Sequence, residues 1–457
     1  MIDNAKYYYI ITYGCQMNVH DSEKLAGMLE KMGYHPAERI EEADIILINT
    51  CIIRENAELK VFGKVGSLKQ LKKKNPDLII GVGGCMMQSE EAVQQLYEKY
   101  PQVDLIFGTH NIHHVPELIN RIKEERGRVV EVWDKEEGLI PDLPSRREDK
   151  YKAWVSIIQG CNNFCAYCIV PYTRGRERSR PPEDIVTEVE RLVEKGVKEI
   201  TLLGQNVNSY GKDLEEKVDF ADLLVRLDEI EGLARIRYMT SHPRDFSQKL
   251  INTIKDGKSI CEHFHLPIQS GSNRILKKMN RGYTREGYLN LIKRIKEAIP
   301  DASITTDFIV GFPGETEEDF AETMDIVKRV RFDMAFTFIY SPRTGTPAAK
   351  MPEQIPEDRK KERLERLMEL QNRISLENNQ KLIGEVLEVL VDGESKNNPE
   401  MYSGRDRKNK LVIFSKKEGI KGEIVPVKIN KAQSFTLFGE VIDLSVTRKT
   451  LSTIEGR

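Results

Sequence analysis

Three cysteines within eight residues, Cys161-Asn-Asn-Phe-Cys165-Ala-Tyr-Cys168, constrain this chain more than any other feature of its sequence. They follow the apolar stretch WVSIIQG (154–160), which reads as a buried strand closed by the turn residue Gly160. Three thiolates so close together can cap one face of a metal cluster. Tetrahedral zinc usually takes four ligands, and no fourth Cys or His lies near in sequence. A cubane iron-sulfur cluster can instead be held by three thiolates, leaving one iron open to a ligand. Zinc with a remote fourth ligand is the rival reading; three incidental free cysteines is the weakest.

The redox compartment decides what the thiols can be. The chain has seven cysteines, and its start, MIDNAKYYYIITYGC, lacks the basic region and long apolar core of a signal peptide. No apolar run approaches the length of a membrane span. The expected location is therefore the cytoplasm, where clustered thiols are more often metal ligands or reactive groups than disulfides. With 70 Lys+Arg against 72 Asp+Glu the net charge is −2, so a nucleic-acid partner would have to be held by local basic patches.

At 457 residues the chain is long enough for several domains. Up to about residue 145, the apolar runs YYYIITYG, DIILINT, LIIGVGG and DLIFG alternate with amphipathic helical segments, predicting a doubly wound parallel sheet. Residues 134–150, DKEEGLIPDLPSRREDK, lose that periodicity and read as a linker. A second α/β series follows, with strands expected in WVSIIQG, KEITLLGQN, RIRYMTS, HFHLPIQS, SITTDFIVGF and MAFTFIYS: six units, enough for a partial (β/α)6 barrel. A helical connector over 356–379 leads to short alternating segments between 384 and 445, which predict a small all-β barrel. The domains expected are 1–145, 146–379 and 380–448; residues 454–457, Ile-Glu-Gly-Arg, have the form of a protease-recognition remnant.

Cys15, Cys51 and Cys85 each stand just past the end of an N-terminal strand. In an open parallel sheet such ends converge on one edge, so the three can meet and form a second tri-thiolate site. Cys261 has no such company and reads as a core residue.

The CxxxCxxC spacing after the first strand of a β/α series resembles the radical S-adenosylmethionine (SAM) superfamily. The resemblance implies a 4Fe-4S cluster on Cys161, Cys165 and Cys168 whose open iron binds SAM and cleaves it to a 5′-deoxyadenosyl radical. Two tri-thiolate sites followed by a small barrel resemble the methylthiotransferases. Asn49-Thr50-Cys51-Ile52-Ile53-Arg54-Glu55-Asn56-Ala57-Glu58, Tyr13-Gly14-Cys15-Gln16-Met17-Asn18 and Gly83-Gly84-Cys85-Met86 look like the MiaB type, which acts on isopentenyladenosine beside the anticodon of tRNA. Ile52 departs from the Ala expected there. The terminal segment resembles a TRAM RNA-binding domain.

That family implies two 4Fe-4S clusters, SAM both as methyl donor and as radical source, and an electron donor such as flavodoxin or ferredoxin. Its sulfur donor is not legible. Methylthiolation of threonylcarbamoyladenosine or of a ribosomal-protein aspartate is the enzymatic alternative; an iron-sulfur RNA-binding protein without turnover is the non-enzymatic one. For SAM, the candidates at strand ends are Gln205, Asn206, Ser241, Gln269, Phe308 and Gly311, with Phe164 and Tyr167 between the cluster ligands. Any of these could instead cap a helix or pack. For the anticodon stem-loop, Arg174, Arg176, Arg178 and Arg180 alternate in TRGRERSR and would share one side of an extended chain. Residues 395–435 add ten Lys/Arg against four Asp/Glu.

Overall fold

The computed structural model describes residues 5–52, 55–134, 143–147 and 149–442. Residues 454–457, the expected remnant, residues 443–448 of the expected third domain, Ile53-Arg54 of the N-terminal motif and most of the expected linker lie outside the described residues.

Six parallel strands form the first sheet: β1 (Lys6–Thr12), β2 (Tyr34–Pro36), β3 (Ile45–Thr50), β4 (Ile79–Gly84), β5 (Leu105–Phe107) and β6 (Val129–Glu131), in the order β2-β1-β3-β4-β5-β6. Every residue of β3 and β4 is buried, as expected for central strands covered by helices on both faces. Because β1, β3 and β4 are neighbours, the residues after their ends are neighbours too. The edge strands β2 and β6, three residues each, were not visible in the hydrophobic pattern.

The central domain begins with β7 (Lys152–Ser156), then a short antiparallel pair, β8 (Ile158–Gln159) with β9 (Arg178–Ser179), brackets the Cys161 loop. Five further parallel strands follow: β10 (Glu199–Leu203), β11 (Arg235–Tyr238), β12 (His263–His265), β13 (Ser303–Val310) and β14 (Met334–Ile339). They pair as β11-β10-β7 and β12-β13-β14, and a parallel bridge between Ile236 and Ile260 joins the two halves into an open barrel. All six expected strands are present. Helices wrap its outside over an apolar core running from Ala153 to Ile374.

The helix Glu357–Gln380 leads from β14 to a closed five-stranded barrel of β15 (Val386–Ser395), β16 (Asn398–Arg405), β17 (Leu411–Ser415), β18 (Ile424–Ala432) and β19 (Leu437–Val441). Strand β16, rich in polar residues, had no sequence signal.

This barrel seats against the starts of the central strands. Arg235, which opens β11 and is 1% exposed, donates to the carbonyls of Arg405 (2.7 Å) and Glu388 (2.8 Å). Arg237 donates to those of Arg407 and Asp406, Arg407 pairs with Glu262 at 2.7 Å, and Lys152 pairs with Asp392. Lys410 reaches Asp333 at 2.7 Å. Arg235→Met removes two bonds from buried carbonyls and one of the cations near Glu199, so it is expected to destabilise the chain by about 2–4 kcal/mol. A thermal-unfolding midpoint equal to that of the unaltered chain would show that the seam contributes little.

Candidate active site

At the C-terminal edge of the first sheet, Cys15, Cys51 and Cys85 follow β1, β3 and β4, and all three line one cavity. Close approach depends on Gly14, whose φ is +132°; a Cβ there would lie 2.8 Å from that of Cys51. Asn18, fully buried in the first turn of the helix Gln16–Lys31, organises the edge. Its amide donates to the carbonyls of Thr50 (2.7 Å) and Tyr13 (3.1 Å), and its Oδ1 accepts from Cys15 Sγ (3.6 Å) and Cys85 Sγ (4.0 Å). The sequence motif contained Asn18 but gave it no role.

Cys161, Cys165 and Cys168 line the same cavity from the central barrel. Gly160 makes their loop possible: its φ is +75°, and a Cβ would collide with the carbonyl of Arg176 across the β8–β9 pair. Arg281, 5% exposed, donates to Cys165 Sγ at 3.2 Å and is fixed by Pro267 O (2.9 Å) and Tyr283 Oη (2.9 Å). Nothing in the sequence marked it.

Each wall of the cavity offers three thiols, the donor set that a cubane iron-sulfur cluster with one open iron takes. Burial pushes the Cys85 and Cys161 thiols up to about 11 and Cys168 to about 12. Coordination reverses that preference, since the thiolate is the ligand form.

The cavity measures about 330 Å³, and the buried polar atoms facing it fit a polar cofactor. Gln205 Oε1, Ser241 Oγ and Gln269 Oε1 have no hydrogen-bond partner, and neither does His242 Nε2. Burial pulls His242 down to about 2, so its ring is neutral. Its Nδ1 accepts from the Arg244 N–H (3.3 Å), which leaves Nε2–H a donor in need of an acceptor. Tyr167 and Asp307 complete this wall and continue into an adjoining space of about 600 Å³ with Ile309, Phe338 and Arg343.

Of the eight residues expected at SAM, the structure therefore places Gln205, Ser241, Gln269 and Tyr167 on the cavity and the other four elsewhere. Asn206 spends its amide on Asp245 (3.1 Å) and its carbonyl on the His242 N–H (3.2 Å). Phe308 lies in the core, edge-on to Phe332 at 5.6 Å. Gly311 turns beneath Lys360 and donates to Glu315 at 2.7 Å. Phe164 packs edge-on to Tyr172 at 5.9 Å.

The four alternating arginines do not share one side. Residues Val170–Thr173 form a helical turn and β9 is only two residues long, so the segment is not an extended strand. Arg174 is buried and donates to Cys85 Sγ (3.2 Å) and Asp21 (2.9 Å). Arg180 is buried against Glu188 (2.7 Å) and the carbonyl of Ser156 (2.8 Å). Arg178, half-buried, reaches Gln159 at 3.2 Å; Arg176 is exposed, 4.5 Å above the Phe164 ring.

A partial barrel of parallel strands whose first loop carries three cysteines into a cavity at the strand ends defines a radical SAM enzyme. The model of the radical SAM superfamily matches residues 155–327, that of the uncharacterized protein family UPF0004 residues 7–108, and that of the TRAM domain residues 380–442. The tRNA-2-methylthio-N(6)-dimethylallyladenosine synthase of Desulforamulus reducens is 59% identical over 441 residues, 96% of each chain. That of Thermoanaerobacter pseudethanolicus is 57% identical over 438 residues, 96% of this chain and 93% of its own. The chain belongs to the tRNA-2-methylthio-N(6)-dimethylallyladenosine synthase family. Its fold is similar to a radical S-adenosylmethionine methyltransferase, TsrM, from Kitasatospora setae, solved with cobalamin and a [4Fe-4S] cluster bound: TM-score 0.55, 15% identity, covering 76% of this chain and 74% of that one.

Proposed function

We propose that the chain adds a methylthio group to carbon 2 of the dimethylallyl (isopentenyl) adenosine beside the anticodon of tRNA, using two 4Fe-4S clusters and SAM. The observation that carries this reading is that both cysteine triads open onto one cavity. When bound, SAM at the Cys161, Cys165 and Cys168 site supplies on one-electron reduction a hydrogen-abstracting radical, and SAM also supplies the methyl group joined to sulfur at the other site.

The chain's own side chains bind and orient. Gln205, Ser241, His242 and Gln269 offer unpartnered polar atoms to a ligand, while Tyr167 and Phe338 give apolar wall to the adjoining space. Enclosure by two domains excludes water from a reactive carbon centre. No side chain is needed as a general base. We assign the N-terminal domain to 1–145, the radical SAM domain to 146–379 and the RNA-binding barrel to 380–448. Among the described residues no helix is long and apolar enough to cross a membrane. The reading places the protein in the cytoplasm, reduced by a flavodoxin or ferredoxin.

The test is anaerobic reaction of the reconstituted chain with SAM, a reductant and tRNA carrying dimethylallyladenosine, followed by mass spectrometry of the nucleosides. The 2-methylthio nucleoside is expected; tRNA binding with inert SAM would overturn the reading.

RNA contact belongs to the exposed lysines of the barrel and to Arg176. Of the ten basic residues between 395 and 435, Arg407 and Lys410 are committed to the seam with the central domain, and Lys416 pairs with Glu394 at 2.6 Å. Lys417, Lys421 and Lys431 are exposed. Replacing these three with Ala is expected to weaken tRNA binding and to flatten the log-log salt dependence by about 0.7–0.9 per lost phosphate contact. Filter binding across a salt series reads this out. Arg176→Ala with Arg178→Ala is expected instead to lower turnover more than binding, because these arginines flank the loop of the cavity.

A further inference from the structure

Each cysteine triad has one buried arginine aimed at one sulfur. Arg281 Nη1 lies 3.2 Å from Cys165 Sγ, and Arg174 Nε lies 3.2 Å from Cys85 Sγ. The second contact crosses a domain boundary: Arg174 follows Cys168 by six residues in the central domain, whereas Cys85 belongs to the first sheet. The guanidinium is pinned, with Nη2 donating to Asp21 (2.9 Å) and to Asn18 Oδ1 (3.3 Å), and it is 8% exposed.

We propose that Arg174 is a positioning residue that sets the reduction potential of the cluster on Cys15, Cys51 and Cys85, acting through Cys85 Sγ. The inference rests on the proposed reading that this triad holds a cluster. A hydrogen bond donated to a ligating sulfur withdraws electron density and favours the reduced, more negative cluster, which raises the potential. Burial strengthens the effect because little water screens the charge. Asp21 holds the fork in place, and its carboxylate offsets part of the Arg174 charge at Cys85. Arg281 is the same device at the other site and serves as the internal comparison.

The experiment is a redox titration monitored by electron paramagnetic resonance on full-length chain carrying C161A, C165A and C168A, so that only one cluster reports. In that background R174M is expected to keep about four irons and to shift the midpoint to a more negative potential. R174K, which retains a cationic donor, is expected to fall between, and R174Q, a neutral donor of shorter reach, to shift the midpoint the same way as R174M. In the reciprocal background, with Cys15, Cys51 and Cys85 replaced by Ala, R281M is expected to move the remaining midpoint and R174M to leave it unmoved. An unchanged or more positive midpoint in iron-replete R174M overturns the inference. If R174M loses its iron, R174Q decides, and an unchanged midpoint there overturns it equally. Failure of the C161A/C165A/C168A parent to take up any iron would instead overturn the two-cluster reading beneath it.

Discussion

Cys165→Ala is expected to bring 5′-deoxyadenosine formation from SAM down to the level of an enzyme-free control, whereas Cys51→Ala keeps SAM cleavage but yields no methylthio nucleoside. The asymmetry follows from the two walls of the cavity. Cys165 is the middle cysteine of the loop after β8 and receives the Arg281 hydrogen bond, so on the proposed reading its loss removes one of the three thiolates of the SAM site. Cys51 belongs to the other wall, at the end of β3, and its replacement leaves the Cys161 loop with all three of its cysteines. Chromatography of the SAM products and mass spectrometry of the tRNA, run on the same reactions, separate the two losses. Detection of 5′-deoxyadenosine from Cys165→Ala would move the radical site elsewhere, and normal methylthiolation by Cys51→Ala would remove the first sheet from the chemistry.

Anaerobic reconstitution is expected to load about eight irons per chain, and about four after either triad is replaced by Ala, if each site holds a four-iron cluster. Independence is the physical content of this prediction. The triads sit on separate sheets with separate cores, so emptying one leaves the scaffold of the other intact. The Arg174 contact links the Cys161 segment to a sulfur of the first sheet, and it is a hydrogen bond and not a shared ligand. Loss of all iron from either triple variant would show that the sites assemble only together.

The six cysteines could be located from sequence because each has a positional signal: tight spacing for one triad, a strand-end slot for the other. The strands carrying them are long apolar runs, and those runs form as read. Signals failed where they depended on the third dimension. Arg281 lies far along the chain from Cys165, and an isolated arginine there carries no mark of the sulfur it meets. The Arg174 to Arg180 alternation looked like one face of an extended strand, but a helical turn ending at Thr173 swings Arg174 inward to Asp21 while Glu188 claims Arg180. Likewise the basic count of the barrel mixed exposed lysines with Arg407 and Lys410, whose charge is spent against Glu262 and Asp333. The edge strands β2 and β6 are simply too short for a period to register.

The terminal barrel touches the starts of the central strands, at Lys152, Arg235, Glu262 and Asp333, while the cavity opens beyond their far ends. Between the two lies at least the length of a five-residue strand such as β7, roughly 16 Å at 3.3 Å per residue. One RNA that engages both must pass along the flank of the central domain, so the thickness of that domain sets a minimum substrate length. A free nucleoside can fill the cavity but cannot reach the barrel. Graded truncation of the RNA would therefore show a step in affinity at the length that spans the domain, and not a gradual decline.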